Sequence, residues 1–177
     1  MGRVYTVNFD RTESSAVQLI AQADLFEFRA AGEKPVALCS ISISCLEGTV
    51  EDSGSTNRDW GSVGAEMSTI RLVRYTLGVS GVGGITATVS PLDTNDAATG
   101  LTVEAVNDST LASTSAGNET FIHSSVFNVR TGWKYTPAPE LRPILRFDGA
   151  SSDIIAVRIS ATVWTVWYHG NAILEEL

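Results

Sequence analysis

Hydrophobic and polar positions in this chain alternate with a period of two over many short runs. That is the spacing of strands with one buried face. In residues 36–46, Leu38, Ser40, Ser42 and Ser44 alternate with Cys39, Ile41, Ile43 and Cys45. This predicts a strand with a greasy side toward a core and a hydroxyl-rich side away from it. Residues 3–10 alternate through Val4, Tyr5, Thr6, Val7, Asn8 and Phe9, and residues 24–30 set Leu25 opposite in sense to Phe26 and Phe28. Further strands are predicted over 66–77, 101–106, 119–130 (with a bulge at Ser124 and Ser125), 144–147 and 153–168, the last being the longest β-rich run. Residues 14–22 have helix-like spacing at Val17, Ile20 and Ala21, over too short a stretch to predict a helix.

Turn-forming residues separate these runs. Residues 47–64 form a long polar connection with four glycines and one aromatic, Trp60; a connection that long in a compact domain is usually functional. Residues 133–143 hold three of the five prolines and cannot form a central strand. About eight strands, no predicted helix and long unequal loops predict a single all-β domain over 1–177, a jelly-roll-like β-sandwich rather than an up-and-down barrel. The chain ends, 1–12 and 169–177, are expected to serve as extended contact arms.

Composition narrows the function. A chain of 177 residues buries enough surface to fold without a disulfide or metal staple. Only 18% of residues are charged, the net charge is −8, and Lys34 and Lys134 are the only lysines. No basic run exists to neutralise phosphates, so no nucleic-acid partner is expected. No apolar run is long enough to span a bilayer, and the N-terminal stretch alternates instead of forming a signal-peptide core, so no membrane partner is expected. Cys39 and Cys45 on one strand would lie roughly 20 Å apart, too far to bridge, and read as small apolar residues.

Catalytic patterns are absent. Gly78, Gly81, Gly83 and Gly84 sit in the stretch 70–107, but Ile85-Thr86 follows where a phosphate loop needs Lys-Ser or Lys-Thr. His123 and His169 are the only histidines, and no nucleophile elbow accompanies them. Asp93, Asp96, Glu104 and Asp108 do not follow calcium-loop spacing. The expectation is a non-enzyme with no cofactor and no metal. Loop 79–100 is low in charge and is predicted to pack against another protein. If Val163, Thr165 and Trp167 face the core, then Trp164, Val166 and Tyr168 form an outward apolar stripe, the mark of a protein contact. The candidate contact residues in the loops are therefore Trp60, Gly81, Gly83, Gly84 and Pro91. Those toward the C-terminus are Trp133, Trp164, Tyr168 and Leu174.

A resemblance adds to this. The start RVYTVNF, the segment DLFEFRAAGEKPV, the glycine-serine loop after RLVRYTL, PLDTNDAATG, FNVRTGW, a proline-containing stretch through Arg142-Pro143 and a last strand with an acidic end recur together across most of the chain. In these features the chain resembles a group of small tailed-phage virion structural proteins of the capsid decoration (cement) type. Residues 47–64 are longer than that pattern, and the ending WTVWYHGNAILEEL departs from its shorter acidic end. The resemblance implies a protein made in the host cytoplasm and placed on the outer surface of the phage head. It would bind the major capsid protein and copies of itself as a homotrimer. The alternatives are a tail, neck or fibre-base component and, from another class, a carbohydrate-binding jelly-roll module using Trp60 or Trp133.

Overall fold

The computed structural model describes residues 2–10, 22–47, 67–107, 109–114, 119–128, 131–147, 152–160 and 166–177. Nearly all of the stretch 14–22 with helix-like spacing, most of the 47–64 connection with Trp60, and Trp164 lie outside the described residues.

The fold is an all-β sandwich of antiparallel sheets. The first sheet runs β11 (Trp133–Tyr135), β3 (Val36–Glu47), β14 (Val166–Glu176), β1 (Arg3–Asp10) and β7 (Val89–Pro91), with β12 (Ile144–Leu145) also pairing with β3. The second runs β10 (Glu119–Asn128), β4 (Met67–Tyr75), β13 (Ile154–Ile159), β2 (Ala23–Ala30), β8 (Leu101–Asn107) and β6 (Ile85–Ala87). A small third sheet pairs β5 (Gly78–Val79) with β9 (Ser113–Thr114). From β1 to β4 the chain changes sheet at every strand. The stretch 78–114 then inserts β5 to β9 and contributes to all three sheets.

The core lies between the facing sides of the two large sheets. Tyr5, Val7, Ile41, Ile43 and Leu174 from the first meet Phe26, Phe28, Leu72, Ile155 and Val157 from the second. The Phe9 and Phe26 rings meet edge to face at 4.7 Å, and Phe26 stacks on Phe28 at 5.1 Å. Gly170 faces this cluster, where a Cβ would run into both Phe9 and Phe26.

Five expectations are corrected. Leu25 shares the core with Phe26 and Phe28, because β2 slips by one residue against β13 between Phe26 and Asp24. Leu38 likewise joins Ile41 inside, because β3 slips against β14 at Cys39. The run 153–168 is not one strand: β13 belongs to the second sheet and β14 to the first. The ends are not arms, since β14 lies between β3 and β1 and pairs with β1 from Arg3↔Glu176 to Asp10↔His169. Glu176 is buried there, within 3.5 Å of Arg3 and 3.3 Å of Lys34. The bulge in β10 falls between Phe121 and His123, not at Ser124 and Ser125.

Candidate interaction site

The one-residue slip in β2 has a chemical consequence. With Leu25 and Phe26 both turned inward, Asp24 and Glu27 face the outer side of the second sheet. Both are nevertheless buried, at 0% and 2% exposure, because residues 78–84 and 109–114 fold over them as a lid. The lid is tied together by the β5–β9 pair and by a bridge in which the Val82 and Thr110 amides each donate to the other's carbonyl, at 2.8 and 3.0 Å. Beneath it Ala112 packs with Val73, Tyr75, Ile154 and Ala156 in a small apolar cluster separate from the main core.

Each carboxylate holds one half of the lid. The Ala112 amide donates to Asp24 Oδ2 at 2.8 Å. Arg158 of β13 donates to Asp24 Oδ1 from Nε at 2.7 Å, to Asp24 Oδ2 from Nη2 at 3.0 Å, and to the Ala112 carbonyl at 2.8 Å. The Gly81 amide donates to Glu27 Oε2 at 2.8 Å, and the Asn107 amide group donates to the same oxygen at 2.8 Å and to Glu104 Oε2 at 3.3 Å. At the rim, Arg29 donates to Ser80 Oγ at 3.2 Å. These are charge-assisted bonds in a site shielded from water, where such bonds are strongest.

Burial also moves the titrations. It raises the Glu27 carboxyl above the usual carboxylate range, against hydrogen bonds from Gly81, Ser80 and Asn107 and with help from the Glu104 charge. It pushes the Tyr75 hydroxyl up to about 12, although the Arg158 guanidinium, 5.5 Å from the ring centre, works the other way. Burial works against the Arg158 charge too, but the Asp24 carboxylate more than offsets it and the guanidinium titrates higher than usual. The polar atoms of this site are spent on holding main chain, so the arrangement positions the lid rather than a substrate.

The glycines of the candidate site serve the lid. Gly81 is buried, and a Cβ on it would come within 2.5 Å of the Thr110 carbonyl and 2.8 Å of Asn107 Nδ2. On Gly84 a Cβ would run into Asn107 Oδ1. Gly83, at the exposed tip, has φ of 100°, which a residue with a side chain rarely adopts. Gly81 therefore faces the protein's own interior, not a partner. The outward surface is instead made by Leu77, Val79, Val82 and Ile85, all exposed, with Val82 at 60%. Sequence reasoning missed these residues, as it missed Asp24, Glu27, Asn107 and Arg158. The signal available was the spacing of the two acids in DLFEFRA: three apart, they cannot share a face of a regular strand.

The other candidates are scattered. Pro91 is half-exposed and ends the edge strand β7, opposite Tyr5. Trp133 is buried, donates from Nε1 to Ser125 Oγ at 2.9 Å and stacks with Tyr135, beside His123. It offers no open ring face to a sugar. Tyr168, at 4% exposure, and Leu174, at 0%, belong to the main core, so Tyr168 is not part of an outward stripe and Leu174 offers no contact surface. Tyr168 turns inward because β14 is in register with β3 over this stretch, with Gly170 and Ala172 buried on the same side. Cys39 is a free, half-buried thiol that burial makes harder to ionise. Among the described residues no three His, Cys, Asp or Glu side chains are grouped to hold a metal. Comparison of the chain with protein-family models, curated proteins and solved structures gives no match.

Proposed function

We propose that this chain is a phage virion structural protein, a capsid decoration (cement) protein that contributes binding surface and no chemistry. The observation that carries the reading is the lid. Its outward side presents Leu77, Val79, Val82 and Ile85 to solvent, and its inner side is fastened by Asp24, Glu27, Asn107 and Arg158. An exposed apolar surface marks a contact, and one already held rigid loses little entropy on binding.

The strand order supports the jelly-roll reading. β1-β14-β3-β11 faces β2-β13-β4-β10, and the insertion 78–114 extends both sheets without breaking that order. The mechanism is mass action: a protein that binds only the assembled lattice stabilises the assembled state. The sequence resemblance points the same way.

Counting this chain in purified particles tests the proposal. A copy number in step with the head lattice supports decoration. A number matching one ring at a single vertex favours the tail or neck alternative, and absence from the particle overturns both. On empty heads, Val82→Asp is expected to weaken binding while leaving the melting temperature of the free protein unchanged, because Val82 already faces water.

A further inference from the structure

The two carboxylates that hold the lid are matched unevenly. Asp24 takes two hydrogen bonds from the Arg158 guanidinium as well as one from the Ala112 amide. Glu27 takes its bonds from the neutral groups of Gly81, Ser80 and Asn107. The residue directly opposite it on β8 is a second acid, Glu104, and like charges facing each other across a strand pair are unfavourable. On the same face are Arg29, which is turned to Ser80 at the rim, the Asp24–Arg158 pair and, farther along, Arg71 and Glu119. Residues 78–84 and 109–114 carry no charge of their own.

Closing the lid also costs backbone strain. Among the described residues two with side chains have left-handed backbone, Leu77 with φ of 55° and Val106 with φ of 57°. Such outliers persist only where their surroundings enforce them, and for a β-branched valine the conformation is rare. Both stand at the lid. Leu77 leads directly into β5, and Val106 precedes Asn107, whose Nδ2 is aimed at Glu27. The Oδ1 of Asn107 is buried with no hydrogen-bond partner among the described residues, a further cost of the closed form.

We propose that the lid is a two-state latch: 78–84 and 109–114 lift together off Glu27 and Asp24 while both large sheets stay folded, and Glu27 is the catch, which holds in acid and loosens toward neutral pH. The β5–β9 pair and the Val82–Thr110 bridge make the two segments move as one. Lifting returns Leu77 to an ordinary φ and admits water to Glu27 and Asn107. Burial under the closed lid raises the Glu27 carboxyl above its ordinary value of 4.5, so the closed form holds that proton more tightly than the open form does. Closure is therefore favoured below the ordinary value and loses that advantage as pH rises through the raised one. Val79 and Val82 ride on the lid, so on the virion reading the closed form presents the contact. The latch itself is a property of the free protein and does not need that reading.

Native-state hydrogen exchange of the full, free chain tests the latch, with each rate divided by that of an unstructured chain at the same pH. The Gly81 and Ala112 amides, one from each segment, are expected to share one opening constant. It exceeds that of the core-strand amides and rises from acid to neutral pH. Glu27→Gln abolishes the rise. Leu77→Asn, at an exposed position, lowers the constant about threefold at every pH, because asparagine adopts left-handed backbone at less cost. That variant keeps the test decisive should Glu27→Gln fail to fold. Lid amides that exchange only together with the core, different constants for Gly81 and Ala112, a constant that ignores pH or Leu77→Asn, or a rise that survives in Glu27→Gln would each overturn the proposal. None of these outcomes bears on whether the chain is found in particles.

Discussion

The two large sheets treat their outer faces in opposite ways. On the first sheet the middle of the outer face is a row of uncharged hydroxyls and amides, with Lys134 and the Arg142–Glu175 pair at its margins. Ser42, Asn171 and Asn8 line up across β3, β14 and β1, and Asn171 Nδ2 donates to Asn8 Oδ1 at 2.6 Å and to Thr6 Oγ1 at 3.0 Å. On the second sheet the equivalent face carries Asp24, Glu27 and Arg158 beneath the lid. The buried charges thus sit on the covered face, while the middle of the open one is neutral. The difference teaches what the charges are for. A hydroxyl on an open face needs only water. A lid of short strands and glycines has little apolar area to hold it down, so buried carboxylates gripping its amides supply what packing does not. The desolvation of those carboxylates is offset by Arg158, Asn107 and the lid's own N–H groups.

The sharpest way to break this contrast is Asp24→Ala. It strands the largely buried Arg158 guanidinium and orphans the Ala112 amide, and should lower stability by about 3–5 kcal/mol in urea titration. Gly84→Ala comes next: the new methyl meets Asn107, which has no room to retreat beneath the lid. A loss of about 1–3 kcal/mol is expected, with faster amide exchange in 78–84 and 109–114 than in the core strands.

Glu27→Gln has a smaller effect, whose sign depends on pH. Burial raises the folded-state titration of Glu27 above its ordinary value of 4.5, so the folded protein holds that proton more tightly than the unfolded chain does. The stabilisation from that proton is complete below the ordinary value and is lost as pH rises through the folded one. Glutamine keeps an acceptor for Gly81 and Asn107 and cannot ionise. The variant should therefore gain on the wild type between acid and neutral pH; urea midpoints that stay parallel across that window would remove Glu27 from the account. Least of all, Ser42→Ala on the open face should change stability by less than about 0.5 kcal/mol.

Much of the architecture was legible in the alternation. Ile41 and Ile43 face the core as their spacing required, and Val7 and Phe9 do the same. What alternation could not reveal is where it breaks. A single extra residue at Leu25, and another at Cys39, reverses the sense of every position on one side of it. Apart from the spacing of the two acids around Leu25, no local composition marks those sites, because a bulge is fixed by the neighbouring strands. The same limit hid the lid: Gly81 and Gly84 are in the sequence, but Asn107 and Glu27, which make them necessary, lie far away along the chain. Tyr168 went astray for a related reason. The run from 153 reads as one strand because no glycine or proline interrupts it, yet its halves end in different sheets.

The place of β14 has a consequence for how the chain is assembled during synthesis. It fills the middle of the first sheet, hydrogen-bonded along its length to β3 on one side and β1 on the other. Both neighbours leave the ribosome long before it does. The nascent chain therefore carries an open slot, with two unsatisfied strand edges facing each other, until the segment that closes it emerges. Folding of the first sheet has to wait for β14 and is slow, as expected for pairings this distant in sequence, and the waiting slot is where a chaperone or a β14 segment from a neighbouring nascent chain would engage.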